Sequence, residues 1–359
     1  SVDGALLSMD ALSRVAPEGL RAGLEPLITG YGTWLEKQAD DAAGLPEHLQ
    51  GVADEALSEA RKGHERLVAG LEFVATDEEA LRCFHFMNEV MREQRTASQV
   101  ASIRSSDPTL PLQQARDKVD KDEAGNPKAE WRPFQLAFIL MQLGALTDPA
   151  APMRSGDIKR VELLFFPTGG GKTEAYLLLT AFTIFLRRLR AAGNPSGAGV
   201  TTFMRYTLRL LTIQQFERAA ALICACEMVR RGKVKLRNVN LPAHFATDTP
   251  ISLGLWVGEG ATPNTVLQAE QVLGTEAESS PAQLRSCPCC REVLDWKISS
   301  DKSRVEVRCL TKSCDVGQEL ALLPIWTVDE DVYRERPTLL IATVDKYAQI
   351  TRNQNTGCL

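Results

Sequence analysis

The chain has 359 residues, of which 44% are hydrophobic and 24% charged, and its formal net charge is −5. That balance belongs to a folded chain with apolar material for two or three domains, and it excludes a disordered tail or a histone-like basic coat. Residues 175–186 form the longest apolar run, too short to cross a bilayer and followed by Arg187 and Arg188. No basic start precedes an apolar stretch at the N-terminus, so no signal peptide is expected. Nine cysteines, an odd number without a secretion signal, point to reduced thiols and metal rather than to a disulfide framework. A cytoplasmic protein with no membrane partner is the expectation.

Residues 1–100 read as a helical, acidic domain, with nine basic against eighteen acidic side chains. Leu57, Ala60, His64, Leu67 and Leu71 recur at three- and four-residue steps, which places them on one helix face. Thr76 and Glu79 have the spacing of a capping box, opening a helix that buries Leu81, Phe84, Met87 and Met91. His85 on that apolar face reads as a core histidine. Residues 101–130 turn charged and carry Pro108, Pro111, Gly125 and Pro127, the composition of a linker or surface segment.

From Trp131 the pattern changes. An apolar helix over 134–146 precedes a buried-strand run at 161–166, a glycine loop and a long helix to 190. Further strands are expected at 201–206, 251–257 and 338–342, with a helix over 208–231. Alternating strands and helices imply an α/β fold, a parallel sheet covered by helices on both faces.

The loop carries the strongest signal: Pro167, Thr168, Gly169, Gly170, Gly171, Lys172, Thr173 and Glu174, between a hydrophobic strand and a helix. Glycines let successive N–H groups turn toward phosphate oxygens, and the helix N-terminus adds a favourable dipole. Lys172 is placed to reach the β- and γ-phosphates of ATP and the Thr173 hydroxyl to bind Mg2+, which makes these two the candidate catalytic residues. Phe166 stands where the general pattern has glycine.

Cys287, Cys290, Cys309 and Cys314 form C-x2-C and C-x4-C pairs with 18 residues between them, the spacing of a zinc ribbon over 281–320. Val305 and Val307 alternate with charged residues as a ribbon strand would. Four ligands with no open position imply a structural Zn2+ site. Cys289 is a spare thiol that could exchange with a neighbour, and Arg291 sits where knuckles usually prefer glycine. Cys224 and Cys226 read as core residues, and Cys83 and Cys358 carry no signal.

The loop resembles motif I of superfamily two helicases. Arg132, Phe134 and Gln135, in Arg-Pro-Phe-Gln, resemble that family's adenine-reading element, where a glutamine amide meets the adenine edge with one donor and one acceptor. Arg205, Tyr206, Thr207, Arg209 and Gln214 resemble motif Ia, Gly258 a glycine pair that touches DNA backbone, and Thr343 motif Ib. Residues 159–237 hold fourteen basic against four acidic side chains, a charge concentration suited to a phosphate track.

The resemblance implies a RecA-like first motor lobe over 131–359, with the zinc ribbon inserted and the acidic Mg2+ motif and second lobe beyond the given residues. Val328-Asp329-Glu330-Asp331 precedes the motif Ib-like element and reads as a decoy for that acidic motif. Runs across 131–348 are further similar to the helicase-related subunits of bacterial DISARM antiphage systems, the DrmA family. That likeness implies an ATP-dependent DNA helicase or translocase acting on single-stranded DNA or single-stranded ends, with a DrmB-like second subunit and a DNA methyltransferase. The alternative from another class is a non-motor, nucleotide-gated DNA-binding scaffold.

Overall fold

A computed structural model describes residues 2–122, 125, 127–155, 161–165, 171–191, 197–207, 209–234, 241–258, 260–275, 277–352 and 354–359, except 247 and 248. The chain forms two compact units. One comprises residues 1–89 and 129–182, the other 90–128 and 183–359.

The first unit is built on long helices. α1 (Pro17–Ala43) starts with proline at its first turn, where the missing N–H costs nothing. α2 (Glu47–Thr76) follows, and α3 (Glu78–Ser106) begins after Asp77. The cap at this junction is Asp77 and not Thr76: Asp77 Oδ1 accepts the Ala80 N–H at 2.7 Å, while Thr76 Oγ1 donates back to the Glu72 carbonyl at 2.7 Å. The expected cap is one residue off because α2 runs through Thr76. Phe84 and Met87 are fully buried and Leu81 half-buried. His85 is a core residue, its Nε2 at 2.9 Å from the Val15 carbonyl, and burial pushes its pKa below the ordinary histidine value.

The composition break at Trp131 falls beside the boundary between the units at 128/129, but residues 129–182 join the unit of residues 1–89 rather than a separate one. Trp131 N–H donates to the Leu7 carbonyl at 2.9 Å, and its Nε1 donates to Asn88 Oδ1 at 2.8 Å. Residues 101–130 also differ from a linker. α3 continues to Ser106, α4 spans Leu112–Asp117, and Leu110, Leu112, Ala115 and Val119 are at most 7% exposed. Four apolar side chains in a charged stretch suffice to anchor it. α5 (Pro133–Thr147) completes this part of the chain, and α6 (Lys172–Arg190) starts at the lysine of the glycine loop.

The expected strand at 161–166 is absent from the described residues 161–165. Val161, Leu163 and Phe165 are 84–91% exposed, and Glu162 is held by Arg66 at 3.0 Å. A run of apolar residues becomes a buried strand only where a ladder partner exists, and no strand among the described residues pairs with it.

The second unit holds a four-stranded parallel sheet of β1 (Thr202–Tyr206), β2 (Leu253–Trp256), β5 (Ile325–Trp326) and β6 (Leu339–Thr343), in the order β1-β6-β2-β5. β2 and β6 are buried throughout, as continuous apolar runs in a parallel sheet should be. α7 (Arg209–Arg230) packs on this sheet and contributes Phe216 and Ile223 to the core. Its buried Glu227 is matched by Arg230 at 2.7 Å, Arg231 at 2.8 Å and the Ile251 N–H at 2.9 Å. A two-stranded antiparallel ribbon, β3 (Leu294–Ile298) with β4 (Val305–Cys309), sits between β2 and β5 in sequence. After it come α8 (Asp315–Glu319), α9 (Asp329–Glu335) and α10 (Val344–Ala348).

Candidate functional site

In the first unit the end of the glycine loop meets Gln135. Pro167, Thr168, Gly169 and Gly170 lie outside the described residues. Gly171 adopts φ +88°, the left-handed region that favours glycine, and an added Cβ would stand 2.5 Å from Gln135 Nε2. Gln135 is 4% exposed. Its amide donates to the Gly171 carbonyl at 2.6 Å and accepts the Arg132 N–H at 2.8 Å. One side chain thus closes the first turn of α5 and ties it to the loop. Lys172, Thr173 and Glu174 follow on the first turn of α6, all half-buried, and Phe138 and Tyr176 meet edge to face at 6.1 Å between α5 and α6. Phe134 is half-buried and Arg132 exposed.

In the second unit Arg205, Tyr206 and Thr343, three of the nucleic-acid candidates expected from the sequence, stand at the carboxyl ends of the parallel strands. Tyr206 stands opposite Thr343 in the β1–β6 register, and Arg205 opposite Ala342. Trp256 also pairs with Ala342, from β2 on the other side, and the exposed Gly258 follows two residues later. Parallel sheets offer ligand crevices at this edge. Arg205 and Thr207 are exposed, as is Gln214 on α7. The Arg209 side chain lies outside the described set. Thr343 is only 8% exposed, at the start of α10.

Sequence reasoning missed what supports this edge. Lys346 and Asp329, 6% and 4% exposed, form a buried ion pair, and Lys346 lies 5.7 Å over the Trp256 ring. Trp256 Nε1 donates to the Tyr333 hydroxyl at 3.1 Å. Burial raises the Asp329 pKa against the pull of Lys346, and burial pushes the Tyr333 hydroxyl up to about 12. Asp331 accepts the Val305 N–H at 3.0 Å, and Glu330 accepts the Val266 N–H at 2.9 Å. The acidic triplet thus braces the sheet edge and the ribbon. A cavity of about 860 Å3 opens here, with Asn264, Tyr333, Lys346 and Gln349 in its wall.

The candidate metal centre is the best-defined site. Cys287, Cys290, Cys309 and Cys314 are buried, and their sulfurs all lie within 4.8 Å of one another. Cys287 Sγ is 3.9 Å from Cys314 Sγ, and Cys290 Sγ is 3.6 Å from Cys309 Sγ. Zn–S bonds of about 2.3 Å place the sulfurs of a tetrahedron about 3.8 Å apart, so the four fit a zinc ion. Hydrogen bonding among the four sulfurs pulls the Cys290 and Cys309 thiols below the usual thiol range and pushes those of Cys287 and Cys314 above it, as expected of thiols that share protons in one tight cluster. Cys289 stays half-buried beside them, and Cys83, Cys224 and Cys226 are buried core residues.

Arg291, in the position where knuckles prefer glycine, has φ +67°. Its guanidinium pairs with Glu217 at 3.5 Å, a contact of small value at about one-third exposure. Arg291→Gly should therefore stabilise the ribbon by up to about 1 kcal/mol, read as a higher thermal midpoint with metal content unchanged.

Among the described residues, no helix is long and apolar enough to cross a membrane. No family model matches the chain. The chain is similar to the DISARM protein DrmA of Bacillus paralicheniformis, with 34% identity over 357 residues. The match covers 94% of this chain and 29% of that relative, so the chain spans less than a third of the relative's length.

Proposed function

We propose that this chain is the nucleotide-binding portion of an ATP-dependent, DNA-binding motor subunit in a DISARM-type bacterial defence system, a RecA-like first lobe with an inserted zinc ribbon. The observation that carries the nucleotide reading is the Gln135–Gly171 hydrogen bond, which joins the adenine-reading candidate to the phosphate loop immediately before Lys172. In this reading Lys172 neutralises charge on the transferred phosphoryl group and Thr173 holds Mg2+. Arg132, Phe134 and Gln135 receive the base, with Pro167, Thr168, Gly169, Gly170, Gly171 and Glu174 around the phosphates. Arg205, Tyr206, Thr207, Arg209, Gln214, Gly258 and Thr343 grip one DNA strand along the carboxyl edge of the sheet. The likeness to DrmA supports the defence role, with a DrmB-like subunit as partner.

A second reading, a nucleotide-gated DNA-binding scaffold, is favoured by one observation: residues 161–165, just before the loop, run as unpaired chain with exposed apolar side chains. ATP hydrolysis by the full-length protein with and without single-stranded DNA separates the two. For the motor, Lys172→Ala should cut DNA-stimulated turnover by at least about a hundredfold while fold and zinc content stay intact. Absence of DNA stimulation, with the variant silent in phage defence, would instead establish the scaffold.

A further inference from the structure

Arg104 lies near the end of α3, in the stretch whose composition reads as a charged linker, yet it is only 7% exposed. A guanidinium has five N–H donors and no acceptor, so burying it demands several well-placed acceptors. Arg104 finds three. Its Nε donates to the Leu110 carbonyl at 3.0 Å, one terminal nitrogen to the carbonyl of Cys290, and the other to the carboxylate of Glu292.

Two of these acceptors belong to the turn that presents metal ligands. That turn is closed by the Cys287 N–H donating to the Glu292 carbonyl at 2.7 Å and the Arg291 N–H donating to the Cys287 carbonyl at 3.0 Å. The carbonyl of Cys290 is met by Arg104, which therefore fixes the peptide carrying a ligand sulfur. Charge points the same way. Four thiolates around one divalent ion leave a formal surplus of two negative charges, and a buried guanidinium one peptide away offsets part of it.

A further contact links the same segment to the second knuckle. Arg116, on α4, pairs at 2.7 Å with Asp315, the neighbour of Cys314. That pair is one-third to two-thirds exposed, so it is the weaker tie.

We propose that Arg104 is a positioning residue of the metal centre: it presets the 287–292 turn and offsets the charge of the metal-bound thiolates, and the bound metal in turn fastens residues 104–117 onto the knuckle. The inference rests on the zinc reading of the four cysteines. It assigns the stretch after α3 a definite task, as the outer support of the ribbon.

The test uses the full-length protein loaded with zinc or cobalt. Metal retention is measured against a chromogenic chelator for wild type, Arg104→Met, Arg104→Lys and Arg116→Ala. Arg104→Met should hold metal about 10- to 100-fold more weakly, the range for losing a partner that orients a ligand. Lysine keeps the charge but not the fork and should fall between. Arg116→Ala should change retention by less than about threefold. In the wild type, stripping the metal should speed amide hydrogen exchange across 104–117.

Wild-type retention by Arg104→Met, or unchanged exchange across 104–117 on stripping, overturns the proposal and leaves the zinc site standing. A wild-type protein that takes up neither metal overturns both. If Arg104→Met does not fold, Arg104→Lys and Glu292→Gln carry the test, and wild-type retention in both overturns it.

Discussion

Alanine at position 70 should destabilise the first unit by about 3 kcal/mol or more, measured as a lowered chemical or thermal unfolding midpoint. Gly70 sits in α2 where that helix crosses α5. A Cβ there would stand 2.1 Å from the Leu140 carbonyl oxygen and 2.7 Å from its carbon, backbone atoms that no rotamer change can move. Two effects compete in Gly70→Ala. Alanine favours the helix by about 1 kcal/mol over glycine, and the clash forces the helices apart. The clash wins because relief requires moving α5 itself, which Arg66 also holds through the Met141 carbonyl at 3.2 Å. Gly51→Ala isolates the first effect: Gly51 lies in the same helix with nothing within 4 Å of its added Cβ. It should stabilise the protein by up to about 1 kcal/mol. Equal effects of the two substitutions would refute the close crossing. Under the proposed nucleotide reading, Gly70→Ala should weaken ATP binding along with stability, because α5 also carries Gln135.

Cys309→Ser should abolish stoichiometric zinc and unravel the ribbon tip. Metal binding to a four-cysteine site is worth roughly 10–16 kcal/mol in apparent terms, comparable with or larger than the whole stability of a typical domain. Elemental analysis of the variant and limited proteolysis across 281–320 are the measurements. The base of the ribbon should persist, because Val305 packs with Val266, Ala269 and Val328, and the Thr327 hydroxyl donates to the Pro281 carbonyl at 2.7 Å. A variant that keeps one zinc per chain would show that Cys289 has replaced the lost ligand.

The four-cysteine cluster was almost fully legible in the sequence. Its ligands come in two short-range pairs whose spacing reflects local turn geometry, so the four-cysteine assignment needs no knowledge of the rest of the fold. The strands β1, β2 and β6 were legible for a similar reason, since short apolar runs bounded by polar turns have few other uses. Asp329, Lys346 and Arg104 were not legible in their actual roles. Each is charged and local context puts charged side chains in water, whereas their burial depends on partners 17 to 188 residues away. The 161–166 run shows the opposite failure. Its apolar residues satisfy every local rule for a strand, and the described part remains unpaired.

The sequence by itself determined the chemistry available to this protein: a glycine loop ending in Lys172 and Thr173, a basic central stretch, four cysteines at ribbon spacing and the helical character of the first hundred residues. These are properties of neighbouring residues, set by backbone freedom, charge and side-chain type within a few positions. Only the tertiary structure decided that Gln135 bonds Gly171, that Arg205, Tyr206 and Thr343 share one sheet edge, and that Arg104 in the charged stretch after residue 100 bonds the Cys290 carbonyl and the Glu292 carboxylate. Those outcomes turn on which distant groups compete for the same buried donors, acceptors and ladder positions. That competition is settled only when the chain closes on itself.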